Sequence, residues 1–367
     1  MVILGAFEAV DDLRNPESLA QTKEVVSVVI PCYNEERFIG KALQNLIDQY
    51  DSQRYEIIVV DGMSDDGTRE VIAEFSHSHP ELSVRVIENP ARTIPAAINL
   101  GVGAARGMII ARIDAHAVAS ENYIRRCVEV LRAGDAAVVG MPCRVCPGAN
   151  TVMAQAIALA VSHSFGIGDA KYRLNSGSAR QESVDTVAFA CFKKSLWQEL
   201  GGFNEELLTN EDYDFNYRVR ARGGRVVLDR SGHCDYFART TLEGLASQYF
   251  RYGGWKARMV KLHPRSIKLR HLVAPTFVAS IILLTTIGFW WNLAWWLLVI
   301  ELTIYLALAV FFGWRITREV KSGLSIKFLM PVVFFTIHSL WGVSFLVGLL
   351  QTASVRKKGS NRKMAPD

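Results

Sequence analysis

The sequence predicts an α/β fold, an open parallel sheet with helices on both faces, followed by C-terminal transmembrane helices. Three observations carry this. Short β-branched runs, each ending in a polar loop and then a stretch of helical spacing, recur through the first third of the chain, the pattern that builds parallel sheets. Half of the 367 residues are hydrophobic, with the excess at the C-terminal end. From Leu272 to Trp314 there is one acidic residue, Glu301, and no basic one, enough for about two spans of roughly 20 residues.

Met1 to Glu24 is polar and unlike a signal peptide, so residues 1–24 read as an N-terminal extension and residues 25–240 as the α/β domain. Val25–Ile30 is a run suited to a strand buried on both faces. It ends in Pro31-Cys-Tyr-Asn-Glu-Glu36, after which Phe38, Ala42 and Leu46 recur at helical spacing. Glu56–Val60 is a second strand, ending in Asp61-Gly-Met-Ser-Asp-Asp-Gly-Thr68 and followed by a helix from Thr68 to about Phe75. Val84–Ile87 and Met108–Ile113 read as the third and fourth strands, with a helix over Ala96–Ala105 between them. Thr151–Val161 is a helix candidate, Gly166–Arg180 a long loop of the kind often found beside a site. Val184–Phe192 reads as a strand, Lys193–Leu200 as a helix and Arg225–Leu228 as a last strand. Phe215 and Val219 share a helical face, which starts a helix near Asn210 with Glu211, Asp212 and Asp214 in its first turn.

The net charge of +5 is uneven: seven basic side chains and no acidic one lie between Arg251 and Arg270. Residues 241–271 therefore read as an amphipathic basic segment lying against anionic headgroups. A nucleic-acid partner would not explain why this run abuts a span. Residues 272–350 form the membrane region, a hairpin over 272–314 turning at Trp290–Trp296 and a third apolar segment over 328–350; 351–367 is a basic tail. The basic residues flanking the hairpin place both its ends in the cytoplasm. Pro331, His338, Ser339 and Gly342 make the third segment less apolar, so it reads as re-entrant or packed on the hairpin, with the tail inside. Glu301 needs a partner in lipid, for which His338 is the candidate. The expected location is the inner (plasma) membrane, multi-pass, with the α/β domain cytoplasmic. Cys143 and Cys146 are the one close pair among six cysteines; without a second pair or a histidine cluster, reduced thiols are expected rather than zinc.

No phosphate-binding Gly-x-x-x-x-Gly-Lys-Ser/Thr loop and no Gly-x-Gly-x-x-Gly after the first strand is present, which weighs against an ATPase and a dehydrogenase. Acidic residues stand instead at three loops around one sheet. Asp61 and Asp114 end strands, where ligands bind in open α/β sheets. Asp114 with His116 suits a divalent cation, Mn2+ or Mg2+. A helix N-terminus holds Glu211 and Asp212 ionised, fit to take a proton from a hydroxyl, and equally fit to cap the helix.

These motifs, with Asn99-Leu-Gly101 and Ala105-Arg-Gly107, resemble the ordered signature of family 2 glycosyltransferases over roughly residues 25–230. The resemblance implies the GT-A fold, a Rossmann-like mixed sheet with helices on both faces, and inverting, metal-dependent transfer of a hexose from a nucleotide sugar such as a UDP-sugar. Phe165-Gly-Ile-Gly168, Val184-Asp-Thr186 and the spans are similar to a bacterial succinoglycan-biosynthesis glucosyltransferase subgroup, which implies exopolysaccharide biosynthesis. By resemblance, Pro31, Tyr33 and Glu35 line the nucleotide pocket, Asp61 binds the uracil side, and Asp114 binds the diphosphate through the metal. Asp212 is then the catalytic base, with Glu211 near the acceptor and Asp214 left to capping.

Two departures matter. His116 stands where the family's second metal-motif acid is usual, as a metal ligand or as a phosphate contact. Gln248-Tyr-Phe-Arg251 is followed by Trp255 rather than an adjacent tryptophan, unlike the chain-binding motif of processive synthases. Gln248, Arg251 and Trp255 then contact an acceptor diphosphate or sugar, or lie among headgroups. The expected activity is addition of one sugar, glucose being implied by the subgroup, to a lipid-linked (polyprenyl-diphosphate) saccharide. The rivals are a processive synthase, a non-catalytic membrane protein retaining the fold, and a nucleotidyltransferase.

Overall fold

A computed structural model of the protein describes residues 26–51, 55–174, 179–320 and 323–351. The expected N-terminal extension and nearly all of the basic tail lie outside these residues. The expected strand–helix alternation appears in β1 (Val26–Cys32), α1 (Ile39–Asn45), β2 (Tyr55–Asp61), α2 (Thr68–Ser78), β3 (Ser83–Glu88), α3 (Ile94–Ala104) and β4 (Ile109–Arg112). β1 and β2 are buried along almost their whole length, which is why their sequences read as continuous apolar runs. Gly101 of α3 lies against Val29 and Val60, so the helix sits on the sheet at a distance that a side chain there would prevent.

The chain continues through β5 (Val118–Ala119), α4 (Tyr123–Arg132), β6 (Val138–Gly140), β7 (Cys143–Cys146), α5 (Val152–Ala160), α6 (Ser164–Ile167), β8 (Gln181–Ser183), β9 (Cys191–Lys193), α7 (Lys194–Leu200), α8 (Glu211–Ala221), β10 (Val226–Asp229) and β11 (Cys234–Phe237). Eight strands form one sheet in the order β3-β2-β1-β4-β9-β6-β10-β8, and β5-β11-β7 form a second. The purely parallel reading needs correction. β9 runs antiparallel to β4 and β6, and β8 antiparallel to β10, so the sheet is mixed, as the family resemblance implied. The strand expected over Val184–Phe192 is also corrected: only Cys191–Lys193 is strand. Val184–Ala190 is nearly all buried, but Phe189 has φ +48°, a left-handed conformation that breaks an extended run. Its carbonyl accepts the Tyr123 hydroxyl at 2.7 Å.

Four long helices follow: α9 (Leu242–Leu262), α10 (Arg270–Gly288), α11 (Asn292–Glu319) and α12 (Leu324–Leu350). The last three are each long and apolar enough to cross a membrane. The hairpin turn is tighter than the tryptophan cluster suggested, since Trp295 already lies in α11 and packs on Gly288. The expected Glu301–His338 contact does not form. Glu301 accepts the Ser280 hydroxyl at 2.5 Å, while His338 bonds Tyr305 at 2.9 Å and the Phe165 carbonyl at 2.8 Å.

α12 is one unbroken helix and packs on the hairpin. It runs in the same direction as α9: Gly253 backs onto Trp341, Ala257 meets Gly348, and the Lys261 ammonium donates to the Gly348 and Gln351 carbonyls at 2.8 and 2.5 Å. It meets α10 where Gly342 faces Ala274, and α11 where Gly313 faces Met330. These crossings lie at the base of the hairpin, whereas Ile282, Leu283, Trp290 and Trp296 nearer its tip are exposed.

Candidate active site

The site forms where the carboxyl end of β4 faces the start of α8. Arg112, the last residue of β4, is 7% exposed and bridges the two: its Nη1 is 3.0 Å from Glu211 and its Nε 3.2 Å from Asp114. Burial disfavours the arginine's charge, yet Asp114, Glu211 and Asp212 outweigh it and push its pKa up. Burial pushes the Glu211 carboxyl up to about 7, against the pull of Arg112 and with Asp212 adding to the rise. Arg112 thus ties the end of β4 to the first residue of α8.

Asp212 differs. It is half-buried, faces the cavity, and accepts one bond, from the Tyr213 amide at 2.6 Å. No ion pair holds it among the described residues. The capping reading of α8 fails, because Asn210 in the left-handed region (φ +69°) precedes the helix and no side chain caps it. Asp214 in particular is no cap. It is 1% exposed and pairs with Arg218 and His263, each at 2.8 Å.

Asp114 and His116 line a cavity of about 1400 Å3 together with Asp212. His116 Nδ1 bonds Glu35 at 2.9 Å, a contact that raises the imidazole's pKa and leaves Nε2 without a partner among the described residues. A carboxylate behind an imidazole is the usual support of a metal-binding histidine. No three His, Cys, Asp or Glu side chains cluster as a metal cage among the described residues. Asp114 and His116 thus suit a cation that takes its other ligands from water and substrate phosphates, as Mg2+ and Mn2+ do.

The other expected residues fall in two groups. Gln248, Arg251 and Trp255 on α9 line the same cavity, Gln248 held by Tyr236 and Tyr252 at 3.0 and 3.1 Å. The nucleotide set lies at its edge or behind it. Tyr33 is exposed under the Arg92 guanidinium, and Arg92 lines the cavity. Pro31 sits within β1, opposite Val60. Asp61 is fully buried, bound by Arg69 and Ser64 at 2.5 Å each, and does not line the cavity. At the start of α2 it is Asp66 that accepts the Thr68 amide.

Sequence reasoning missed Arg112, Tyr172, Arg173, Arg239 and Lys256, all of which line the cavity. Of the described residues in the expected Gly166–Arg180 loop, Gly166 to Ala170, Tyr172 and Arg173 line the cavity. The headgroup reading of the basic run is corrected at three positions. Lys256 is 6% exposed, and Lys268 and Arg270 pair with Asp185, Arg270 also with Asp169 at 2.5 Å. Burial, and then Arg270, push the Lys256 ammonium down to about 7.

Comparison with known proteins agrees with this architecture. Residues 27–201 match the family described as Glycosyl transferase family 2. The succinoglycan biosynthesis protein ExoA of Rhizobium meliloti is 28% identical over 345 residues, 93% of this chain and 97% of that one. A dolichyl N-acetyl-α-D-glucosaminyl phosphate 3-β-D-2,3-diacetamido-2,3-dideoxy-β-D-glucuronosyltransferase of Methanococcus voltae is 22% identical over 337 residues, 90% and 99% of the two chains. Among solved structures, a mannosyltransferase of Pyrobaculum calidifontis, in complex with GDP-Man and Mn2+, superposes with a TM-score of 0.58 at 20% identity, covering 90% of this chain and 88% of its own. Residues 27–201 are a glycosyl transferase family 2 domain with the GT-A fold.

Proposed function

We propose that the protein adds a single hexose, glucose as first candidate, from a UDP-sugar to a polyprenyl-diphosphate-linked saccharide in exopolysaccharide or glycan assembly. One observation carries the reading: a single cavity joins Asp114 and Asp212 to a wall made by Phe277, Tyr305 and Trp341 of the membrane helices. An acceptor hydroxyl presented from the bilayer can reach the base without leaving the protein. The ExoA relative supports the pathway class, and the dolichyl-linked substrate named for the Methanococcus voltae relative supports the acceptor class.

Asp212 takes the acceptor hydroxyl's proton as that oxygen bonds to the sugar's anomeric carbon; the bond from that carbon to the nucleoside diphosphate breaks. A single in-line displacement inverts the centre, so a UDP-α-sugar yields a β-linkage. Asp114 and His116 would hold a divalent cation, whose charge neutralises the departing diphosphate. Glu211 orients Arg112, and Arg112 orients Asp114. Tyr33 and Glu35 border the nucleotide, Glu35 through His116. Gln248, Arg251 and Trp255 face the acceptor.

The catalytic domain lies on the cytoplasmic face of the inner membrane in this reading, with α10 and α11 crossing and α12 lying across their base. The C-terminal tail then emerges beside Lys261 on the cytoplasmic side. A C-terminal tag cleaved by protease in intact cells whose outer face alone is exposed would sink this topology. The activity is tested by incubating membranes containing the protein with radiolabelled UDP-glucose and other UDP- and GDP-sugars. One labelled residue per extracted lipid-linked acceptor is expected; label in polymer formed without lipid would refute the reading.

A further inference from the structure

We propose that Lys256 and Arg173 form a cradle for the diphosphate of the lipid-linked acceptor, separate from the groups that hold the nucleotide. This rests on the lipid-acceptor reading above and adds to it the residues that bind the acceptor's charge. Other arginines whose side chains are little exposed are paired: Arg112 with Asp114 and Glu211, Arg230 with Glu182, Arg270 with Asp169 and Asp185. Lys256 and Arg173 have no carboxylate partner among the described residues. Lys256 is 6% exposed, its ammonium 3.3 Å from the centre of the Tyr213 ring. The Arg173 guanidinium lies over Tyr236 and Tyr172, 4.9 and 5.5 Å from the ring centres, and its Nε is buried without a hydrogen-bond partner. Aromatic faces attract a cation but do not replace its lost hydration or neutralise it. A cavity wall that presents two cations with no carboxylate in contact with either is complementary to an anion.

Position decides which anion. Tyr213 adjoins Asp212, carries Lys256 over its face, and meets His271 edge-on at 6.0 Å, and His271 stacks on Trp341 at 6.4 Å. Lys256 thus lies between the base and the membrane wall. Gln248, Tyr252 and Lys256 also recur at the four-residue spacing of one face of α9. A diphosphate seated there places its prenyl chain toward Phe277, Tyr305 and Trp341 and its sugar toward Asp212. The nucleotide's diphosphate is the other source of the same chemistry.

Thermal unfolding of the full chain in dodecyl maltoside distinguishes the two, with farnesyl diphosphate, farnesol or UDP plus Mn2+ added. Farnesyl diphosphate should raise the midpoint where farnesol does not. Its apparent affinity should fall at least tenfold in Lys256→Met and Arg173→Met, stay near wild type in Lys256→Arg, and leave the UDP response unchanged. Loss of the UDP response instead, or equal responses to farnesyl diphosphate and farnesol in the wild type, overturns the proposal. Should the methionine variants not fold, Lys256→Gln and Arg173→Gln are read in the same way, and a wild-type affinity in Lys256→Gln also overturns it. Farnesyl diphosphate binding that depends on Lys256, with no sugar transferred to any lipid acceptor, would leave the cradle standing and sink only the proposed reaction.

Discussion

Replacing Asp212 by asparagine separates the chemical from the structural work of the acidic pair. The carboxylate accepts one local bond, from Tyr213 at 2.6 Å, and no cation holds it among the described residues. Asparagine keeps that acceptor and the shape, so stability should change by less than about 1 kcal/mol. Loss of a positioned base lowers turnover by roughly 10²–10⁴-fold, about 3–5 kcal/mol of barrier at 1.36 kcal/mol per tenfold. Glu211→Gln is the contrast. It changes a buried contact with Arg112 at 3.0 Å, so any deficit should appear in the unfolding midpoint or the UDP affinity as well as in transfer. The assay is initial rate of sugar transfer at saturating donor, set beside the unfolding midpoint and UDP affinity of each variant. Asp212→Asn should fold, bind UDP and fail to transfer. If it retained transfer within tenfold of wild type, or if its deficit followed a fall in stability, Asp212 would not be the base.

Three further outcomes follow from the same geometry. Asp214→Ala leaves Arg218 and His263 without their shared carboxylate and should lower stability by roughly 3–5 kcal/mol, with activity per folded molecule unchanged; unfolding curves and active-site titration check it. Chelation should abolish transfer and Mn2+ restore it in the wild type, whereas Asp114→Asn should not recover, and recovery in that variant would remove Asp114 from the metal's ligands. Lys256 has a folded pKa of about 7 against 10.5 for a free lysine, so the unfolded chain binds more protons between these values and stability rises with pH across that window. The lysine's contribution is fully present above the unfolded value and lost as pH falls through about 7; the unfolding midpoint should climb from pH 7 to 10, and Lys256→Met should flatten that slope.

Legibility followed burial. β1, β2 and β4 are strands covered on both faces, so their composition announced them; β5, β7 and β11 are only two to four residues long, too short for alternation to register. The acids of the site stood out because they end apolar strands or open a helix. The cations did not. Lys256 and Arg270 are basic residues near a span, and in sequence they look like headgroup contacts; what sets them apart is that Lys256 packs on Tyr213 and Arg270 pairs with Asp169 and Asp185, a tertiary fact. Arg112 likewise read as one residue of an apolar strand, since its two carboxylate partners come from its own loop and from α8, 99 positions later for Glu211. Asp61, a strand-end carboxylate that looks unpartnered in sequence, is bound by Arg69 and Ser64.

The glycine-mediated contact of α9 with α12 bears on what can be cut from this protein. One face of α9 carries Gln248 and Lys256 into the cavity, and its opposite side, at Gly253, Gly254 and Ala257, lies directly on α12. The wall of the reaction chamber is therefore hung from a hydrophobic helix near the chain's end. A fragment ending before Leu242 would retain Asp114 and Asp212 and yet stand open to water on the acceptor side.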